Sequence, residues 1–329
     1  MSSELPGRAG DEGEERLVAL LKALGWTLRG DTNITLECDY PYHDERSNQY
    51  GIDAYMTYDG PYRDKERGIF IESKSPTFDN YYPSDLKNHA KGTLQKVEAG
   101  PESDDFNEYL QFGESRIVNA GVLGIWFRNQ EEYDPERFQE YVEDVPVIPK
   151  RKKPYQIILL ENERLNRLAS IHSQYQEIKN ELDEGDSIDF FYPARNDSSS
   201  ERQGLLTIEY FLSDFIFVKI ETTEEIGRRT EPKNISVVFY SGDIELRALN
   251  FMYRAVLEYT MDDADELRIY LDQDVEEERR RLQLESITEE FLNNGLPAKL
   301  PTEPSDIDLR TLTEENYANY TDRLIEEGI

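Results

Sequence analysis

Asp53, Glu72 and Lys74 are the side chains of this sequence best suited to polar chemistry. They lie in two short strand-like runs, residues 51–58 and 68–75, separated by a polar turn. Side chains alternate along a strand, so Ile69 and Ile71 face one way and Phe70, Glu72 and Lys74 the other. Pairing the two runs as a hairpin brings Asp53 toward the face that carries Glu72 and Lys74. Two carboxylates with a lysine can form a small divalent-metal site, and an ion-activated water beside an ammonium suits phosphodiester hydrolysis. A carboxylate two residues before a lysine is also a common surface pair of small energetic weight. Here the charges close an apolar run, Ile69-Phe70-Ile71, of the kind that forms a buried strand, which favours a site.

The elements that must position these residues begin upstream. Residues 11–24 read as an amphipathic helix with Leu17, Leu20, Leu21 and Leu24 on one face and Gly25 as its stop. Counting back three from Leu17 puts Glu14 on that apolar face, where a carboxylate is out of place unless it points into a site. Stabilisation by the helix N-terminus is the other account of Glu12, Glu14 and Glu15. Short runs at 26–28 and 34–38 lead to the two strands.

This helix-strand-strand-strand order, with Glu14, Asp53 and Glu72-Ser73-Lys74 at these places, resembles the PD-(D/E)XK nuclease superfamily, whose fold is restriction-endonuclease-like. The resemblance covers about residues 10–180, and Ile52 stands where the signature has proline. It implies an α/β fold with a mixed central sheet flanked by helices. It also implies that Asp53 and Glu72, with the Ser73 carbonyl, hold Mg²⁺, for which Mn²⁺ can substitute. Lys74 would orient the attacking water and offset negative charge, and Glu14, or Glu15 in its place, would bind the ion through water. The ion's demands agree, because Mg²⁺ keeps several waters and needs one or two carboxylates. A lysine beside two carboxylates stays protonated, which suits an electrostatic stabiliser better than a general base.

Positive charge is concentrated in two places. Residues 83–98 read as a helix that carries Lys87, Lys91 and Lys96 against the single acid Asp85 in its middle, and Lys150, Arg151, Lys152 and Lys153 form a second cluster. Basic patches are where nucleic-acid backbones bind, so both are expected to contact DNA, with Gln95 as a further contact. For Lys87 and Lys91 a solvated helix face is nearly as good a reading. Residues 118–127 form a near-continuous apolar strand. Asp134-Pro135-Glu136 starts a helix, and a strand at 155–160 and a helix at 162–180 complete an α/β core.

The acidic stretch at 181–186 suggests a boundary between a nuclease domain, 1–182, and an α/β accessory domain for target recognition or partner binding, 183–329. The latter is expected to hold strands at 188–192, 205–211, 215–220, 235–240 and 267–271, helices at 243–259 and 275–293, and a loosely ordered tail from Pro301. A length of 329 residues suits two domains. No apolar run approaches the ~20 residues of a membrane span, the start is no signal peptide, and the single Cys38 excludes a disulfide framework, so a cytoplasmic protein is expected. His43, His89 and His172 are too few and scattered for a histidine-metal nuclease, and no glycine-rich phosphate loop is present. The net charge of −32, with arginine well ahead of lysine, fits a halophilic cytosol, with mimicry of DNA as the rival reading.

The combined expectation is a Mg²⁺-dependent DNA endonuclease, a metal-dependent deoxyribonuclease. An N-terminal nuclease with an α/β C-terminal domain looks similar to nuclease subunits of two-gene anti-phage defence systems, which implies antiviral defence and a homodimer or a heteromer with a second defence subunit. A repair or junction nuclease, and a non-catalytic acidic interaction module that keeps the fold, are the alternatives.

Overall fold

The computed structural model describes residues 5–37, 49–62, 65–104, 106, 117–146, 148–149, 153–194, 201–242, 246–259, 264–272 and 307–329. Packing divides the chain into two units, Met1–Ala169 with Asn316–Ile329, and Ser170–Glu315. The first is built on a five-stranded mixed sheet in the order β1 (Thr27–Leu28), β4 (Ala54–Tyr58), β5 (Arg67–Lys74), β6 (Ile117–Ile125), β7 (Gln156–Leu160). A short connection makes β4 and β5 antiparallel, with Ala54 opposite Ile71. The later pairs, β5 with β6 and β6 with β7, are parallel. Parallel neighbours need a crossover, and α2 (Pro83–Ala99) lies between β5 and β6 in the chain.

Two glycines of β6 show how the sheet is covered. Three positions apart, they look to opposite faces. A Cβ on Gly121 would meet Thr93 of α2 at 2.8 Å, and one on Gly124 would meet Leu17 of α1 (Leu5–Ala23) at 2.6 Å. The sheet is therefore sandwiched between α1 and α2, which is why β5 and β6 read as unbroken apolar runs. Leu17, Leu20, Leu21 and Leu24 of α1 are all buried. The helix begins six residues before the expected position 11, with Pro6 in its first turn, where a missing N–H costs nothing. Gly25, at φ 92, ends it. On the α2 side, Phe78, Tyr81, Leu86, Ala90, Leu123, Ile125, Phe127, Phe138 and Tyr141 form one core cluster, and Ile52, Tyr55, Phe70, Val97 and Phe106 another. Asp134 caps α3 (Pro135–Glu143) by accepting the Arg137 N–H at 3.0 Å.

The expected single strand at 51–58 is broken at Asp53. Residues Gln49–Ile52 form β3, paired with β2 (Ile34–Glu37) in a separate two-stranded ladder, and β4 starts at Ala54. Helix α4 (Asn162–Glu181) crosses from the first unit to the second. The boundary expected at 182/183 falls at its C-terminus, whereas the packing divides at 169/170 and returns the last fourteen residues to the first unit.

The second unit has a six-stranded sheet in the order β13 (Ile307–Thr311), β12 (Glu266–Leu271), β11 (Arg229–Tyr240), β10 (Phe215–Ile226), β8 (Ser187–Tyr192), β9 (Glu201–Gln203). Helix α6 (Leu246–Glu258) covers one face through Met252, Ala255 and Val256. Three expectations change here. The apolar run 205–211 is not a strand. After Thr207 it makes the single helical turn α5 (Ile208–Phe211), held by Tyr192 donating to the Leu205 carbonyl at 2.7 Å and by Tyr210 donating to the Phe191 carbonyl. Strands β10 and β11 run well past the apolar stretches 215–220 and 235–240, because a two-residue turn at Gly227 (φ 69) keeps their polar halves paired from Glu221–Asn234 to Ile226–Arg229. The tail from Pro301 contains β13, paired with β12, and helix α7 (Tyr317–Glu326), which packs in the first unit. The helix expected at 275–293 lies outside the described residues.

Candidate active site

The break at Asp53 places its carboxylate where the β4–β5 ladder stops. Ala54 opposite Ile71 is the last registered pair, so Asp53 comes opposite Glu72. There the Asp53 Oδ2 accepts the Ser73 N–H at 2.7 Å, a side-chain oxygen doing what a strand carbonyl does one step earlier. Glu72 and Lys74 share the face of β5 that looks to α2, as alternation requires. Lys74 Nζ lies 2.6 Å from Glu72 Oε1 and 3.6 Å from Asp53 Oδ2, and donates to the Ser73 carbonyl at 2.9 Å. The second Glu72 oxygen, Oε2, accepts from Lys96 of α2. Two carboxylates and two ammonium groups thus converge, and Glu72 is 8% exposed.

The electrostatics follow from this arrangement. Burial, then the neighbouring Glu72 charge, raises the Asp53 carboxyl above its usual value, with Lys74 and the Ser73 N–H opposing. Burial also pushes Glu72 up, but Lys96 and Lys74 outweigh it and hold that carboxyl below its usual value. For Lys74, burial lowers and the two carboxylates raise, and the carboxylates prevail, so it stays protonated. The donor set fits a hard divalent cation. Carboxylates from the break between β3 and β4 and from β5, with the Ser73 carbonyl, are oxygen donors turned toward positive charge, which the lysines supply here. Among the described residues no group of three or more His, Cys, Asp or Glu side chains could hold a metal ion. A magnesium site needs no such group, since one or two carboxylates and water suffice.

The other expected residues are distributed differently. Glu14 is 6% exposed on α1, next to Gly13, whose missing Cβ would sit 2.2 Å from the Ser75 hydroxyl. Its helix therefore packs closely on the face of β5 that carries Ser73 and Ser75, opposite the one carrying Glu72 and Lys74. Lys87 and Lys91 are exposed and Gln95 half-buried on α2. Lys96 was expected to share their DNA-facing surface, but its side chain is 11% exposed against Glu72. The helix period carried that signal: nine residues separate Lys87 from Lys96, about two and a half turns, which puts them on opposite sides. Lys153 is exposed, while Lys150, Arg151 and Lys152 lie outside the described residues. His89, set aside in the sequence for want of histidine partners, accompanies the site from α2. It shares a hydrogen bond of 3.1 Å with the Tyr81 hydroxyl. Burial, then the Lys74 charge, lowers its pKa.

Residues 1–164 match the family model of the GAPS4 protein PD-(D/E)XK nuclease domain. A search of curated proteins found no match to the chain. No helix among the described residues is long and apolar enough to cross a membrane.

Proposed function

Since its N-terminal half belongs to the GAPS4 protein family of PD-(D/E)XK nuclease domains, we propose that this nuclease is a Mg²⁺-dependent DNA endonuclease acting in defence against foreign DNA. The observation that carries the reading is the convergence of Asp53, Glu72 and Lys74 at the end of the β4–β5 ladder. Asp53, Glu72 and the Ser73 carbonyl would hold the ion. When bound, it supplies an acidified water and neutralises charge on the phosphate. Lys74, kept protonated by the carboxylates, stabilises charge that develops on the phosphate oxygens and orients the nucleophile beside Asp53. Glu14 would assist through water, and Lys87, Lys91 and the cluster at Lys153 would follow the DNA backbone. The acidity of the chain, −32 overall, suits a salty cytosol. A partner subunit, or a second copy, would complete the defence assembly.

The test separates Lys74 from Asp53 on plasmid DNA at molar salt. Lys74→Ala should retain its fold and ion binding and lose about 10²- to 10³-fold in cleavage rate, the usual effect of removing one preorganised charge-stabilising group. Asp53→Ala should lose ion affinity first and activity through it. Parental cleavage by Lys74→Ala would end the assignment and favour the non-catalytic module. Equal cleavage of RNA would change the substrate but keep the chemistry.

A further inference from the structure

Lys96 reaches the site from a different element than Lys74. Lys74 stands on β5, between Glu72 and Asp53 and on the Ser73 carbonyl, so it belongs to the strand that carries the motif. Lys96 comes from the last turn of α2 and takes Glu72 Oε2, the oxygen that Lys74 leaves. The pair is mostly shielded, with side chains 11% and 10% exposed. With two ammonium groups against two carboxylates, the cluster is formally neutral, and a neutral cluster offers an entering cation no net attraction. One ammonium has to withdraw. Lys74 is held by three oxygen atoms and its own strand, whereas Lys96 can leave by rotating a long side chain, with no backbone movement.

We propose that Lys96 is an internal counter-ion that a divalent cation must displace from Glu72 Oε2, so that this helix lysine governs how readily the carboxylate pair takes up the ion. The proposal rests on the metal-site reading given above. It makes Lys96 a positioning residue acting through Glu72, distinct from the backbone-contacting role expected for Lys87 and Lys91. It also explains why a lysine is mostly shielded beside the helix face where apolar residues pack, at the cost of partly desolvating an ammonium.

The test is Mn²⁺ titration of the full-length protein by calorimetry, without nucleic acid, for the parent, Lys96→Met, Lys96→Arg and Asp53→Asn. Lys96→Met should bind Mn²⁺ about tenfold more tightly, a change of the size by which one charged group commonly alters the affinity for a second. Lys96→Arg, which restores the charge, should return toward the parental affinity. An unchanged or weakened affinity in Lys96→Met, with binding reduced in Asp53→Asn, would overturn the counter-ion role and leave the metal site standing. Asp53→Asn binding like the parent, or no binding by any form, would instead remove the metal-site reading and the inference with it. Should Lys96→Met not fold, the parent alone decides. Mn²⁺ should accelerate modification of Lys96 by acetic anhydride, followed by peptide mass, and an unaltered rate at Lys96 would refute displacement.

Discussion

Asp53 and Glu72 lie side by side yet are perturbed in opposite directions, and the consequences for stability are opposite too. Asp53 has its folded pKa raised by burial and by Glu72, so its ionised form costs stability at neutral pH, and that cost fades as pH falls through the raised value. Asp53→Asn should therefore raise the urea midpoint at pH 7 while removing activity, with the gain over the parent shrinking toward acid pH. The amide oxygen can still accept the Ser73 N–H, so the local bond is kept. Glu72 has its folded pKa lowered because Lys96 and Lys74 outweigh burial, so its charge contributes stability above the unfolded value, and this is lost as pH falls through the folded one. Glu72→Gln should accordingly destabilise the protein by about 1.5–3 kcal/mol, the range for losing hydrogen bonds to charged groups. Urea unfolding of both variants across pH 4–8 checks the pair, and a shift of the same sign in both would refute it.

Helix α2 and strand β6 do more for the site than their sequences announce. Gly124 lets α1 lie on β6 with Leu17 almost against the backbone. Gly124→Ala should push that helix away and cost about 1–3 kcal/mol, as overpacking of a filled core does. It should also reduce activity, since α1 carries Glu14 and lies against the strand bearing Ser73 and Ser75. Thermal melts and plasmid cleavage measured together would show whether both fall. On the outer side of α2, Lys87 and Lys91 are exposed and free of the Glu72 cluster. Reversing both to glutamate should weaken DNA binding for every sequence alike. Each lost phosphate contact should flatten the salt dependence by about 0.9 in slope. An unchanged slope would route the DNA elsewhere.

At the scale of the whole molecule, the chain returns to its beginning. After the second unit, α7 packs in the first, where Tyr317 stacks obliquely with Trp126 at 5.0 Å and Arg16 of α1 makes a two-point ion pair with Asp322 at 2.8 and 3.0 Å. The exposed ion pair is worth less than about 1 kcal/mol. The burial of Tyr317, Tyr320 and Leu324 is the larger effect, at about 1.5–3 kcal/mol for the leucine, to which the rings of the two tyrosines add. Deleting residues 316–329 should thus destabilise the nuclease unit by several times the effect of Asp322→Ala. Limited proteolysis with mass readout would locate the loosened region in the first unit, and cutting confined to the second unit would contradict this.

Much of the site was legible from local pattern. The apolar run ending in Glu72-Ser73-Lys74 has strand alternation, which is a property of the backbone, so the shared face of Glu72 and Lys74 followed from spacing. The helix at 83–98, the Asp134 cap and the leucine face of α1 likewise depend on neighbours a few residues apart. What local pattern could not contain was any relation between distant segments. The break at Asp53 exists because β3 and β4 pair with different strands, and nothing in residues 51–58 states that. Lys96 looked like a surface lysine because its partner, Glu72, is twenty-four positions away and meets it through the α2 crossover. The polar halves of β10 and β11 are strands because each supplies the other's backbone hydrogen bonds, and α7 joins the first unit because Tyr317, Tyr320 and Leu324 find an apolar surface there. Side-chain periodicity is written in the chain, whereas the identity of each partner is fixed by long-range packing and by the hydrogen bonds that only folding brings together.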